Sequence, residues 1–211
     1  MKLTGASLFV LGAGIGRMGD HLAARKTGRD TSPSSELLHG DGMSIADTLL
    51  PEFDQEMATT RRVIERVPSD KGKWKPHPKS FPLGHLTQLV AMMPGWLTNA
   101  LTETSLNLLD YRGYTYETTE DLLKVFDNHV KEARAAISNS KDSDYTVPWS
   151  LRRGEQIFFT TPRAVIVRQT INHLVHHRGQ LTVYLRLIDV PVPSIYGPTA
   201  DEPVPGLSPS K

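Results

Sequence analysis

From Ser44 to the prolines near residue 190, apolar residues recur every three or four positions, the period of helices with one buried face. In the first segment the stripe is Ile45, Leu49, Leu50, Phe53, Met57, Ile64 and Val67, with Ser44 as cap, Asp47 three residues on, and Pro51 marking a kink or the true first turn. The second opens at "KSFPLGHL", with Ser80 as cap and Pro82 in the first turn. It continues through Leu86, Leu89, Val90, Met93, Trp96, Leu97 and Leu101, bent at Pro94. Between them "PSDKGKWKPHPKS" is too rich in Pro, Lys and Gly to be other than a loop. In the third, capped by Thr118 and Thr119 and acidic in its first turn, Leu122, Phe126, Val130, Ala133 and Ile137 share a face. The fourth starts at Thr161 with Pro162 at its first helical position and runs to about Ile188, where "DVPVP" stops it.

The polar link before that last helix has room for a short hairpin between Tyr145 to Trp149 and Gln156 to Phe159. No other stretch sustains a strand period. Four amphipathic segments therefore predict an all-α four-helix bundle. The domain spans residues 43–203, and Pro191, Pro193, Pro198, Pro203, Pro205 and Pro209 make an extended, partly mobile tail that ends in residues 204–211.

The first 42 residues do not share the pattern. "LFVLGAGIGRMG" sets Gly14-x-Gly16-x-x-Gly19 behind an apolar run, the opening of a dinucleotide-binding unit. No second apolar strand leads to Asp30, however, and no alternating strand and helix follow, so that reading fails on context. Lys2 and the run to Ile15 resemble a signal peptide only loosely, since the apolar part is short and Arg17, Asp20 and Arg25 come early. Residues 1–42 are read as a poorly ordered leader, with Met43 as an alternative start that intact mass would test. A cytoplasmic location is expected, with export left open by the leader.

Composition removes several classes of function. Lys and Arg number 24 against 23 Asp and Glu, a net charge of +1, so the basic footprint of a nucleic-acid binder is missing. The apolar run near Leu8 is far short of the roughly 20 residues a membrane-spanning helix needs. With no cysteine in the chain, a metal would have to be held by His, Asp or Glu, and any reactive thiol would have to arrive as a small molecule.

The stretch "INHLVHHRGQLTVYLRL" carries three of the eight histidines. Residues four apart on a helix are offset by about 40° and roughly 6 Å along its axis, so His173 and His177 project from the same side and could share one metal ion. The residue after His173 is Leu174, so the glutamate base of the zinc-protease motif is absent and that reading falls away. His176 is rotated about 100° from His177 and could only replace it in an alternative pair with His173.

A third ligand is sought on another segment. His85 opens the apolar stripe of the second helix, four residues before Leu89, and should face the core, where an unpartnered imidazole is costly. His129 is the reserve and His77, in a loop, is weaker. Three imidazoles leave a position open for water or substrate and suit Zn, Ni, Cu or Fe. Gly179 in mid-helix predicts close approach of another helix, and Arg178 and Gln180, which could orient a ligand or the dimer, are read in preference as structural polar contacts. Trp74, Trp96 and Trp149 are pocket or packing residues. Tyr184 is either a donor near the histidines or a core tyrosine. No carboxylate among Asp47, Asp54 and Glu56 has a unique inward position, so no catalytic residue is assigned.

The stretches "WKPHPKSFPLGHLTQLVAMMPGW", "INHLVHHRGQLTVYLRL" and "DVPVPSIYGPTADE" resemble the DinB-like (DinB/YfiT) superfamily of four-helix metalloproteins over about residues 43–203. The resemblance implies one divalent metal, Zn, Ni or Fe, held by His85, His173 and His177, with His176 a neighbour and not a ligand. It also implies a homodimer and a small-molecule substrate. The most concrete chemistry is that of a thiol transferase using a low-molecular-weight thiol as cosubstrate. A metal-dependent hydrolase and a metal-binding interaction module without catalysis are the alternatives.

Overall fold

The computed structural model describes residues 42–110, 113–116 and 118–203. The predicted leader and residues 204–211 lie outside this range, apart from Gly42. Four helices dominate: α1 (Ile45–Glu65), α2 (Leu83–Thr102), α3 (Thr119–Ser138) and α4 (Arg163–Leu187). α1 and α2 each pack against both α3 and α4. The predicted stripes form the core: Leu49, Phe53, Met57 and Ile64 of α1, Leu86, Leu89, Val90, Met93 and Leu97 of α2, and Leu122, Phe126, Ala133 and Ile137 of α3 are all buried.

Local chemistry sets the helix starts. Ser44 and Asp47 form a reciprocal capping box at α1, and Thr118 accepts from the Asp121 amide at α3. At α2 the expected Ser80 cap is replaced. Pro82 is the N-cap and has no side-chain donor or acceptor, so the loop supplies the partners: the Leu83 amide donates to the Trp74 carbonyl at 2.7 Å and the Gly84 amide to the Gly72 carbonyl at 2.9 Å. Pro162, expected inside α4, is likewise its N-cap.

The fold is mostly helical but not purely so. A three-stranded sheet contains β1 (Ser105–Asn107), β2 (Pro148–Arg153) and β3 (Gln156–Pro162), in that order. β2 and β3 are the expected hairpin, displaced along the chain because Tyr145 is buried in a 3-10 turn and bonds Ser140 through its hydroxyl. β1 pairs parallel to β2, with Leu106 opposite Leu151. Three residues are too few to display a two-residue period, and their partner lies far along the chain, so periodicity could not reveal this strand.

The segment after α4 is also more ordered than its prolines suggest. Val192 and Ser194 are buried, Glu202 pairs with Arg62 and Arg66, and Arg186 Nη2 lies 2.5 Å from Asp201 Oδ2. Carboxylates in "TADE" thereby clasp the tail to α1 and α4. Among the described residues no helix is long and apolar enough to cross a membrane.

Candidate functional site

His173 and His177 meet as their spacing predicts. Their Nε2 atoms are 2.8 Å apart, and their ring centroids 4.6 Å. The Gln180 carboxamide, one turn further along α4, lies 2.7 Å from His177 Nδ1 through Oε1 and 3.1 Å from His176 Nε2 through Nε2. An amide oxygen can only accept, so His177 Nδ1 carries the proton and its Nε2 presents a lone pair to His173. Gln180, expected to be a structural contact, therefore orients a candidate ligand; its position three residues after His177 was the available signal.

Burial keeps the pair neutral. It pushes the His173 pKa down to about 4, helped by the neighbouring His177 and His176, and it lowers that of His177 against the opposing effect of the Gln180 bond. Trp96 contributes to the apolar surroundings, with its ring 6.0 Å from that of His173. His176 is exposed.

His85 occupies an aromatic sandwich, 4.2 Å from the Phe81 ring and 3.3 Å from the Tyr114 ring. Its Nε2 is buried without a hydrogen-bond partner among the described residues, and burial lowers its pKa to about 4. Among the described residues no three His, Asp or Glu side chains gather as a ready ligand group. Tyr114 was not among the residues singled out in the sequence, because its place over His85 is set by a connection between α2 and α3.

The remaining candidates have other roles. His129 packs against Gly95, where a Cβ would come within 2.7 Å of its Nδ1, and that nitrogen is 3.7 Å from Glu132 Oε2. His77 accepts from the Lys79 amide in its loop. Tyr184 is a core residue, meeting Trp74 edge to face at 5.7 Å, and Trp149 is buried with its indole N–H donated to Asn99. Arg178 is structural as read: it is almost fully buried, with Nη1 2.5 Å from Glu56 Oε2. Among the described residues no helix approaches Gly179, since a Cβ there would meet nothing within 4 Å.

Four helices with paired, neutral, oriented imidazoles on the last of them define a helical bundle with a histidine site. The DinB family model matches residues 43–205, and the chain belongs to the DinB family. A DinB-like protein from Bacillus cereus shares the fold with a TM-score of 0.57 at 22% identity, covering 73% of this chain and 99% of that one. One from Bacillus subtilis gives 0.55 at 16% identity, covering 68% and 96%. No curated protein matches the sequence.

Proposed function

We propose that this chain is a divalent-metal-dependent enzyme acting on a small molecule, with His85, His173 and His177 as the ligands. The observation that carries the reading is the pair of neutral imidazoles whose Nε2 atoms face each other at 2.8 Å, one fixed by Gln180. Metal binding needs neutral imidazoles, and burial favours that state here. The orphaned Nε2 of His85 supports its role as third ligand. Completing the set requires the His85 side chain to move, since no three such side chains gather among the described residues.

A divalent ion held there would lower the pKa of a coordinated thiol or water. The chain's own contribution is to keep the imidazoles neutral, to fix the His177 tautomer through Gln180 and to limit water through Trp96. Thiol transfer is the most specific version, and the thiol must come from a small cosubstrate because the chain has no cysteine. The working unit is proposed to be a homodimer, which light scattering would check.

Metal content by mass spectrometry, on wild type beside His85→Ala and His173→Ala, tests the ligand set. About one ion per chain, lost in both variants, is expected. No ion in the wild type after reconstitution with Zn, Ni and Fe would leave an interaction module as the better reading. With metal bound, a shift in spectrum or melting temperature on adding low-molecular-weight thiols is expected; no response to any thiol would favour hydrolysis.

A further inference from the structure

A cleft of about 680 Å³ opens beside the start of α2, within the range of small-molecule sites. Lys73, Lys75 and Asp70 bring its formal charges, a surplus of one positive charge, and His85, Tyr114 and Tyr116 bring flat walls. We propose that this cleft binds a small organic anion, a carboxylate or phosphate head on a flat apolar body, and that such anions are the substrate class of the site built on His85. The substrate assignment rests on His85 being a metal ligand; the anion site itself does not.

The cleft is built from fixed parts. Lys73 sits between Gly72 and Trp74, whose carbonyls cap the first amides of α2, so the backbone carrying this lysine is tied down on both sides. That capping occupies two of the first amides of α2, and the lysines are the cationic side chains of the cleft. Lys75 donates to the Pro78 carbonyl at 2.9 Å, which positions the ammonium without neutralising it. Neither lysine pairs with a carboxylate among the described residues.

The aromatic wall is equally specified. A Cβ at Gly72 or Gly84 would collide with the Tyr116 ring, so both glycines make room for it. The Tyr116 hydroxyl is bonded to Thr119 Oγ1 at 3.0 Å. Tyr114 lies on His85, which places a flat surface beside the candidate ligand. An anionic head at the lysines would set an apolar body against these rings.

The test titrates the full chain, metal-free and zinc-loaded, with phenyl phosphate, phenylacetate and neutral 2-phenylethanol, followed by calorimetry. Saturable binding of at least one anion to the metal-free chain is expected, with no binding of the alcohol. The Lys73→Glu/Lys75→Glu variant should lose at least about tenfold in affinity, the double Arg variant should keep it, and His173→Ala should keep it while losing metal. The tighter of the two anions identifies the head group. Anion binding that needs the metal, or that survives the charge reversal, overturns the proposal, as does no saturable binding. Metal binding without anion binding overturns the cleft alone; anion binding without metal binding overturns the proposed enzyme alone.

Discussion

Residues 177 and 178 of α4 belong to two polar clusters that are completed to different degrees. Around Arg178 every strong group has a partner. Its Nη1 meets Glu56 Oε2 at 2.5 Å and donates to Thr60 Oγ1 at 3.2 Å, its Nη2 donates to the Tyr196 hydroxyl at 2.9 Å, and that hydroxyl donates to Glu56 Oε1 at 2.7 Å. The buried charges of Arg178 and Glu56 balance each other within the chain. Around His177 two neutral imidazoles face each other, and one of the facing nitrogens must carry a proton for a hydrogen bond to form. A charge-balanced cluster joins α1, α4 and the tail; a pair of neutral imidazoles can take up a cation from outside in place of the proton shared between them.

The largest effect should come from opening the balanced cluster. Arg178→Ala leaves Glu56 buried without its counter-charge, and a loss of about 3–5 kcal/mol in urea unfolding is expected. Arg178→Met, which fills more of the space, should lose no less of the charge balance but less of the packing. If Arg178→Ala unfolds with wild-type stability, the network is not the strut described here.

The imidazole pair should respond to metal more than to truncation. Zinc at about 100 times its dissociation constant should stabilise the wild type by about 2.7 kcal/mol, an increment absent from His173→Ala. Equal stabilisation of both proteins would separate zinc binding from the histidine pair.

An effect of pH is also expected in the metal-free chain. His85 and His173 have folded pKa values of about 4, below the ordinary 6.5, so the unfolded chain binds more protons between those limits. Their contribution is fully present above pH 6.5 and declines as pH falls toward 4. His173→Gln should flatten that part of the stability profile; an unchanged slope would remove His173 as its source.

The difference between these clusters was only partly legible in the sequence. The four-residue spacing brought His173 and His177 together because it depends on one helix alone. The caps at Ser44 and Thr118 were readable for the same reason. The partners of Arg178 come from α1 and from Tyr196 in the tail, and Tyr114 reaches His85 from another connection. Such contacts depend on how helices and loops pack, which a helical period does not encode. β1 escaped for a related reason, since its three residues acquire meaning only beside β2.

The next residue along α4 gives the smallest predicted effect and a third environment for comparison. Gly179 is exposed, and among the described residues a Cβ there would meet nothing within 4 Å. Glycine inside a helix costs about 1 kcal/mol relative to alanine, so Gly179→Ala should stabilise an isolated chain by up to about that amount. In a homodimer with α4 at its interface, the added methyl would instead meet the second copy, and dimer affinity would fall. Unfolding measured at two protein concentrations separates these cases: stabilisation at both places Gly179 on a free face, whereas destabilisation at the higher concentration that disappears on dilution places it against a partner.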